Sequence, residues 1–440
     1  MTARTLLVAM LQETGHLNPS FKLMRTMQGR GHDVRYLATP ELTPHIAAQG
    51  FPVLPFFPEL NENSAAAGGR LAVLKKRRAI TATYRAVAER LLEDGADAFG
   101  LTPKLLLVDV TQTHLSLWAH RFGIPQVLLN TSLPQTKSPG SAPLRSGLSY
   151  ETGPVGLLRN ELAWQRFLLK RRLSAQLADV GEMCPPYELS RQLAARFGVS
   201  QRELNCETVY MPQLRAPHEL VFCAEELDFP RPSTAQRHHV ESVDLQRKEP
   251  SFDWTRLAND KPLVFCALGG QLYRGGQTPA FLQRVAAAFA QRPDLQLVLA
   301  TGRHMRPEQL VPCPSNVLVV ERAPQLAMLT RAQLMITHGG LGSVKECVIN
   351  GVPMLVFPLD VDQPGNAARV AHHGIGLAGD IAHTSVAGLL TMIDRVLAQP
   401  SFRERCGQLQ QKLVKLESSE HGANVLEGLL ERPSALRVAG

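Results

Sequence analysis

The chain has 440 residues, of which 44% are hydrophobic and 20% are charged, and its 47 basic and 39 acidic side chains give a net charge of +8. This length is too great for one small domain, and the composition is that of a globular protein rather than a disordered one. Aromatic residues make up only 6% of the chain. Because no basic stripe with interleaved aromatic side chains occurs, a nucleic-acid partner is not expected.

The sequence also bears on location and on metal binding. The N-terminal apolar run Leu6–Leu11 is followed by Glu13 and is too short for a signal peptide, and no run reaches the ~18 residues that a membrane-spanning helix needs. The seven cysteines are widely spread and never form CxxC pairs: Cys184, Cys206, Cys223, Cys266, Cys313, Cys347 and Cys406. This usage predicts free thiols in the cytoplasm and no zinc cluster.

Strand and helix patterns alternate along the first half of the chain. The apolar run Leu6–Met10 predicts a buried strand, and Asn18 and Pro19 then supply an N-cap and a proline at the first helical position. The elements predicted next are strands at Val34–Ala38, Leu105–Val108 and Gln126–Leu129 and a helix at Gln112–Arg121. The Pro-rich and basic stretches 52–80 and 133–160 predict loops with short helices.

The same alternation restarts in the second half. The predicted strands are Leu263–Leu268, Leu295–Ala300, Val317–Val320, Leu334–Ile336 and Met354–Phe357, and the predicted helices are Pro279–Ala290, Gly340–Asn350 and Pro364–His373. Short connections between strands and helices predict an α/β fold with parallel sheets. We therefore expect two doubly wound domains, 1–235 and 259–420, joined by a linker at 236–258 that is rich in proline and mixed charges.

A histidine and an aspartate follow two predicted strands of the first half. The segment Glu13–Pro19 contains His16, with Gly15 before it as a turn residue, and Asp109 ends the strand Leu105–Val108 in the same way. Because ligands bind at the carboxyl ends of parallel strands, His16 is a candidate general base and Asp109 its orienting partner. The alternatives are a loop histidine bonded to a carbonyl and an aspartate that N-caps the next helix.

A glycine-rich turn, THGGLGSVKE at residues 337–346, follows a predicted strand and opens a helix. Its spacing is neither GxGxxG nor GxxxxGK[ST], so it predicts neither a dinucleotide fingerprint nor a P-loop. Its glycines and the helix N-terminus suit a phosphate, with Ser343 and His338 as further polar contacts. Glu346 lies one helical turn later, where a carboxylate could accept both ribose hydroxyls. The alternative is a turn whose glycines serve only tight packing.

A second polar segment, Pro358–Asn366, lies just beyond the strand Met354–Phe357. Asp362 and Gln363 offer an acceptor beside a mixed donor and acceptor, which suits the vicinal hydroxyls of a sugar. The alternative is that Asp362 caps the helix that begins at Pro364.

Together these segments resemble the UDP-glycosyltransferase superfamily. The resemblance is carried by Arg322-Ala323-Pro324-Gln325, His338-Gly339-Gly340, Ser343, Glu346, Gly351-Val352-Pro353 and Asp362-Gln363, and by Gly15–Pro19, which is similar to the family's N-terminal catalytic loop. It covers nearly the whole chain. Within the family the chain looks most like bacterial enzymes that glycosylate macrolides, other polyketides or carotenoids.

The resemblance implies a GT-B fold, in which two Rossmann-like doubly wound domains face each other across a cleft. Residues 1–235 would bind the acceptor, residues 259–420 would bind the nucleotide sugar, and a helix within 421–440 would pack back on the N-terminal domain. It further implies an inverting transferase without metal or cofactor. The enzyme would move a sugar from a UDP or dTDP sugar to a hydroxyl of a lipophilic small molecule such as a polyketide.

Residue roles are implied in the same way. His16 would be the base and Asp109 its partner. The implied donor contacts are Arg322 and Ala323 to the nucleobase, Gln325 and Glu346 to the ribose, His338, Gly340, Gly342 and Ser343 to the diphosphate, and Asp362 and Gln363 to the sugar. The chain departs from the family at Arg322, often tryptophan, and at Gly342, often asparagine, so UDP and dTDP both stay open.

Other functions were weighed against this one. One is glycosylation of a carotenoid, sterol or other lipid at a membrane surface, with Lys75–Arg78 contacting headgroups, although such a run is more often a solvated helix face. Another is a non-catalytic relative that activates a partner enzyme. A nucleotide-dependent oxidoreductase on two Rossmann folds is disfavoured, because no GxGxxG follows the first strand.

Overall fold

The structure is a computed structural model that describes residues 4–56, 70–179, 186–269, 277–302, 305–310 and 312–432. Cys184 lies outside these ranges, and the side chains of Lys75, Lys76 and Arg77 lie outside the described part of their helix. The predicted headgroup contact at Lys75–Arg78 therefore stays a prediction. The cysteines within the described ranges are all free thiols.

Strands and helices alternate through most of the chain. The strands are β1 (Thr5–Ala9), β2 (Asp33–Ala38), β3 (Val53–Pro55), β4 (Leu105–Asp109), β5 (Gln126–Asn130), β6 (Leu204–Asn205), β7 (Gln213–Leu214), β8 (His218–Val221), β9 (Arg237–His239), β10 (Leu263–Ala267), β11 (Gln296–Ala300), β12 (Val317–Val320), β13 (Ala332–Thr337), β14 (Met354–Val356) and β15 (Gly376–Ala378). The helices are α1 (Thr14–Gly29), α2 (Thr43–Ala47), α3 (Arg70–Glu93), α4 (Thr113–Arg121), α5 (Pro154–Asp179), α6 (Pro186–Arg196), α7 (Thr278–Ala290), α8 (Gln325–Leu329), α9 (Leu341–Ile349), α10 (Gln363–His373), α11 (Val386–Ala398), α12 (Pro400–Glu417) and α13 (His421–Glu431).

Two parallel sheets organise the molecule. The first has the strand order β3-β2-β1-β4-β5-β8-β9 and the second the order β12-β11-β10-β13-β14-β15, and every pairing within them is parallel. Strands β6 and β7 form a separate, short antiparallel sheet. In the sequence they lie between β5 and β8. The predicted α/β fold with two doubly wound halves is thus confirmed. Their inner strands are buried because helices cover both faces of a parallel sheet.

The last helix joins the core of the first half. Leu426, Leu429 and Leu430 of α13 belong to the same buried cluster as Leu6 of β1 and Leu17 of α1. The chain therefore returns from its second half to complete the first core.

The predicted linker at 236–258 begins too early. Strand β9 (Arg237–His239) lies inside it and pairs in parallel with β8, so these residues belong to the edge of the first sheet. Three residues with two histidines carry too weak an apolar pattern to indicate a strand. The remaining domain limits stay predictions.

Two long helices lie in stretches that predict loops. The stretches 52–80 and 133–160 predicted loops with short helices, yet α3 begins at Arg70 and runs for 24 residues, and α5 begins at Pro154 and runs for 26 residues. In α5 apolar residues occupy opposite faces, so the one-sided pattern that indicates an amphipathic helix is absent.

The first helix also begins earlier than predicted. It starts at Thr14 with Glu13 at the N-cap, so Asn18 is not the cap and Pro19 lies inside the helix. Pro19 has no N–H to donate, so the helix bond from position 19 to the Gly15 carbonyl is not formed. His16 is consequently in the first turn of α1, directly after β1, and Gly15 is a helical residue rather than a turn residue.

Buried polar contacts hold the two halves together close to the cleft. The Lys345 ammonium of α9 is 3% exposed and donates to the Phe222 carbonyl and the Ser242 hydroxyl, each at 2.6 Å. Arg369 of α10 donates from Nε to Asp228 Oδ1 at 2.7 Å. These contacts position α9 and α10, the two helices that follow the predicted donor segments.

Candidate active site

His16 and Asp109 lie together at the carboxyl ends of β1 and β4, which are neighbouring strands. The Nδ1 atom of His16 is 2.7 Å from Asp109 Oδ2, and the Asp109 side chain is fully buried whereas that of His16 is 22% exposed. The other carboxylate oxygen, Oδ1, accepts from the Thr111 backbone N–H at 2.9 Å and from its hydroxyl at 2.7 Å. The N-cap of α4 is Gln112, so Asp109 does not cap that helix.

His16 and Asp109 shift each other's pKa. Burial by itself lowers the pKa of His16, but the charge of Asp109 and its hydrogen bond outweigh burial and leave the pKa raised above its usual value. Burial likewise raises the pKa of Asp109, but His16 and the Thr111 bonds outweigh it and leave that pKa lowered. Asp109 is therefore ionised, and in the neutral form of His16 it holds the proton on Nδ1 and leaves the Nε2 lone pair free.

Two residues that the sequence analysis missed extend this pair toward the second half. Thr131 Oγ1 lies 2.9 Å from His16 Nδ1, and the Ser132 hydroxyl donates to Asp362 Oδ2 across the cleft at 3.3 Å. Both directly follow β5, the strand beside β4, so the strand-end argument applied to His16 and Asp109 would have found them. They bring the histidine of the first half close to Asp362 of the second.

His338 follows β13 in the glycine-rich turn and is packed tightly. Its ring lies against Gly269 and Gly340, where an added Cβ would come within 3 Å of the imidazole. Burial lowers the pKa of His338 to about 4. The side chain is therefore neutral at pH 7, and it can offer a diphosphate a hydrogen bond but no positive charge.

The N-terminus of α9 supplies the positive end of a helix dipole near the carboxyl end of β13. Gly340 is the N-cap, and the first backbone bond in the helix runs from Val344 N–H to the Gly340 carbonyl at 3.1 Å. The N–H groups of residues 341–343 precede that bond and stay available. An added Cβ on Gly342 would meet nothing within 4 Å, so open space adjoins them, as an anion site requires.

Glu346, the predicted ribose acceptor, is 5% exposed and already engaged. Gln325 donates from Nε2 to Glu346 Oε2 at 2.6 Å and approaches Ser343 Oγ at 3.3 Å, so the structure brings these three predicted residues together. Arg247 binds both carboxylate oxygens of Glu346, with Nη2 to Oε2 at 3.0 Å. Arg247 was missed because it lies in the linker stretch, where no motif points to it.

Asp362 and Gln363 have different environments. Asp362 occupies the N-cap position of α10 but makes no side-chain capping bond, and it accepts instead from Ser132 and from Asn366 Nδ2 at 3.2 Å. Burial raises its pKa, and the hydrogen bond from Asn366 offsets part of that rise. Gln363 is 3% exposed, and its Oε1 accepts from the Leu359 and Asp360 N–H groups at 2.8 and 3.2 Å. Any contact of Gln363 with a sugar would therefore come from Nε2.

Arg322 and Ala323, the predicted nucleobase contacts, lie between β12 and α8. The Arg322 side chain is exposed and Ala323 is half-buried, and Ala323 packs against the core of the second half. This exposed guanidinium is free to stack on a planar ring.

The described residues contain neither a metal-ligand cluster nor a membrane-spanning helix. No group of three or more His, Cys, Asp or Glu side chains is arranged there to hold a metal ion. In the same part of the chain, the longest helices, including α5, are not apolar enough to cross a bilayer.

Comparison with known proteins bears on this arrangement. Oleandomycin glycosyltransferase of Streptomyces antibioticus is 29% identical over 426 residues, which cover 94% of this chain and 88% of that protein. Zeaxanthin glucosyltransferase of Pantoea ananas is 27% identical over 333 residues, covering 74% and 71% of the two chains.

Solved structures share the fold. A calicheamicin glycosyltransferase matches with a TM-score of 0.68 at 22% identity, over 99% of this chain and 100% of the other. A spinosyn rhamnosyltransferase complexed with spinosyn aglycone matches with a TM-score of 0.65 at 21% identity, over 97% and 99%. The predicted GT-B fold, with two Rossmann-like domains, is confirmed. The model of the UDP-glucoronosyl and UDP-glucosyl transferase family matches residues 192–413, half of the chain, so the chain belongs to this family and is a glycosyltransferase.

Proposed function

We propose that the protein transfers a sugar from a UDP or dTDP sugar to a hydroxyl of a lipophilic small molecule, with inversion at the anomeric carbon and without a metal ion. One observation carries the proposal. The His16–Asp109 pair of the first half faces Asp362 of the second half through Ser132, so a base and a candidate sugar contact lie on opposite sides of one cleft.

His16 is the proposed general base. Asp109 holds a proton on Nδ1, so Nε2 takes the proton of the acceptor hydroxyl. As the hydroxyl oxygen bonds to the anomeric carbon, the bond from that carbon to the diphosphate oxygen breaks and the nucleoside diphosphate leaves. One displacement of this kind inverts the anomeric configuration. The ionised Asp109 stabilises the imidazolium that forms.

The leaving diphosphate is proposed to bind at the N-terminus of α9. The free N–H groups of residues 341–343 and the positive end of the helix dipole stabilise the charge that develops as the bond breaks. Ser343 and the neutral His338 would add hydrogen bonds, Gly340 allows the His338 ring to pack beside the helix start, and Gly342 leaves open space for the phosphates. This role needs no metal ion, which a transfer assay in excess EDTA tests directly.

The nucleoside is proposed to lie between α8 and α9. Glu346 and Gln325 would contact the ribose hydroxyls, and Arg322 and the backbone of Ala323 would contact the base. A ribose would compete with the Arg247 guanidinium for the Glu346 carboxylate. The sugar itself would reach Asp362 and the Nε2 of Gln363.

A lipophilic natural product is the acceptor that the relatives favour, since the names of two of them specify oleandomycin and zeaxanthin. The second of these names supports the alternative acceptor class, a carotenoid or other membrane lipid. Incubating the protein with UDP and dTDP sugars crossed with polyketide, flavonoid, terpenoid and carotenoid alcohols would identify the product by mass spectrometry. The anomeric coupling constant of the product would report inversion or retention.

The decisive variant is His16→Ala. Loss of a general base should lower turnover by ~10²–10⁴ and leave calorimetric affinity for UDP or dTDP nearly unchanged, because His16 lies in the acceptor-side half. Wild-type turnover of an unactivated alcohol by this variant would contradict the mechanism. Nucleotide-sugar binding by the wild type without transfer to any acceptor would favour a non-catalytic, partner-activating relative.

A further inference from the structure

Helix α5 is apolar on two opposite faces, and in the described part of the chain the core packs against its inner face. Its inner face packs Trp164, which is 3% exposed, into a core cluster with Leu133 and Leu144, and Phe167 and Leu168 pack against the same cluster. A helix of a monomeric globular protein usually has a polar outer face. The outer face of α5 does not follow that rule.

The outer face carries a stripe of exposed aliphatic side chains, interrupted by Arg166 between Leu162 and Leu169. Their spacing of three, four, seven and four residues keeps them on one side of the helix. The members of this outer stripe and their exposed fractions are Val155 (81%), Leu158 (60%), Leu162 (58%), Leu169 (57%) and Leu173 (51%). Single exposed leucines are common, but five exposed aliphatic side chains on one side of one helix indicate an interaction surface.

The charges beside the outer stripe are basic. Arg166, Lys170 and Arg172 are exposed on the same helix, and no ion pair joins them to an acidic side chain in the described part of the chain. The acidic residues of this region are neutralised, since Glu151 pairs with Arg159 at 2.8 Å and Glu161 with Lys137 at 2.8 Å. The surface therefore combines aliphatic side chains with unpaired positive charge.

The inner face of α5 holds the segment that borders the cleft. Trp164 Nε1 donates to the Ser141 carbonyl at 2.9 Å, and Asn160 Nδ2 donates to the Gly140 carbonyl at 2.7 Å. A few residues further on, Gly147 packs against Pro364 of α10. Helix α5 thus packs against the segment that follows Thr131 and Ser132.

We propose that the outer stripe of α5 docks the protein on the surface of an anionic lipid bilayer. A helix with aliphatic residues on its outer face and basic residues beside them lies in the plane of the interface, with the aliphatic groups among the acyl chains and the cations at the headgroups. Docked in this way, the first half, which is proposed to bind the acceptor, lies at the membrane in which a lipophilic acceptor dissolves. The docking needs no transfer reaction, and only its use for acceptor delivery rests on the proposed function.

Charge decides between a bilayer and a second copy of the chain. A copy that packed its own outer stripe against this one would bring two basic faces together, and the like charges would oppose the contact. Anionic headgroups instead complement Arg166, Lys170 and Arg172. The acidic side chains near the stripe are already paired, so they do not repel a negatively charged surface.

Co-sedimentation with vesicles tests the proposal. The wild type should bind vesicles of mixed phosphatidylglycerol and phosphatidylcholine, bind phosphatidylcholine alone much more weakly, and dissociate as salt is raised. The combined variant Leu158→Gln, Leu162→Gln and Leu169→Gln should lower the partition coefficient by on the order of tenfold or more. Arg166→Gln, Lys170→Gln and Arg172→Gln together should abolish the preference for the anionic lipid.

Matched controls separate docking from folding. Leu245→Gln with Val414→Gln alters exposed aliphatic residues elsewhere (56% and 48% exposed) and should leave vesicle binding unchanged. All variants should melt like the wild type and keep its affinity for UDP or dTDP, so failure of the docking is distinguishable from failure of the enzyme. Unchanged vesicle binding in both α5 variants would overturn the proposal. So would a dimer in light scattering that the leucine variant dissociates, because the stripe would then bind a second copy.

Discussion

The charge state of His16 depends on burial and on its acidic neighbours, of which Asp109 acts most strongly. Asp109 is the largest influence that raises the pKa of this histidine, and burial is the largest that lowers it. A general base acts in its neutral form, so kcat/KM for an alcohol should rise as pH rises through the pKa of His16. The position of that rise reports the electrostatic effect of the carboxylate.

Asp109→Asn tests this dependence. Without the carboxylate charge, burial is no longer outweighed, so the pKa of His16 falls and the rise in kcat/KM moves to lower pH. The plateau should also fall, because the imidazolium in the transition state loses its counter-charge. The measurement is a pH–rate profile of both proteins with an acceptor that does not titrate. A profile that keeps its midpoint would show that Asp109 does not set the pKa of His16.

Asp362 offers the second test at this scale. Asp362→Ala should lower sugar transfer more than tenfold, since a hydrogen bond to a charged group is worth ~1.5–3 kcal/mol, and should spare affinity for the free nucleoside diphosphate, which has no sugar. The melting temperature should change little, because Asp362 makes no capping bond at α10. A variant that melts lower yet transfers sugar normally would leave Asp362 a purely structural role.

Sequence reasoning located these residues because a strand end fixes where a side chain emerges. His16, Asp109 and Asp362 each follow a strong apolar run, and the parallel sheets bring their ends together. It missed Arg247, which reaches Glu346 from an irregular stretch. Side-chain contacts made across the tertiary structure leave no periodic signal in the chain.

At the scale of elements, two glycines of the strand–turn–helix unit from β13 to α9 differ in how much the conformation of the unit requires them. Gly339 has a φ of +81°, and an added Cβ would lie 2.4 Å from Val356 Cγ1. Gly342 has open space around the position of an added Cβ and lies in the first turn of α9. One glycine is required by backbone conformation and packing, whereas the other is required by neither.

Gly339→Ala should therefore destabilise the protein by about 1–3 kcal/mol, through positive φ and the clash with β14. Gly342→Ala, the matched control, should be neutral or stabilise it by up to about 1 kcal/mol, because alanine favours a helix over glycine. Chemical denaturation of both variants provides the comparison. Equal losses of stability would mean that the turn does not have this conformation.

Element prediction was incomplete, and two of its failures fall where the apolar pattern is unusual. Most strands of both sheets agree with the apolar runs within one or two residues, as expected when both faces of a sheet are buried. Helix α5 was missed because its apolar residues lie on two opposite faces, and β9 because it is short and polar. These failures fall on surfaces and edges, where burial is not what selects the residues.

At the scale of the molecule, the first half is not built from one continuous stretch of the sequence. Helix α13 comes after the second half but buries Leu426, Leu429 and Leu430 in the core of the first. Gly422 donates its N–H to Glu241 Oε2 at 2.9 Å beside this core, and Lys22 of α1 binds Glu417 of α12. The first half should therefore lose stability when the end of the chain is altered.

Leu426→Ala tests this dependence against Leu389→Ala, because both leucines are fully buried, one in the core of the first half and one in that of the second. Each truncation should cost about 2–5 kcal/mol through lost burial and a cavity. Hydrogen exchange followed by mass spectrometry should show where the cost falls. Leu426→Ala should lower protection in β1 and α1, far from it in sequence, whereas Leu389→Ala should lower protection in β10 and α7. If Leu426→Ala left β1 and α1 protected and loosened only its own helix, α13 would be an appendage of the first half rather than part of its core.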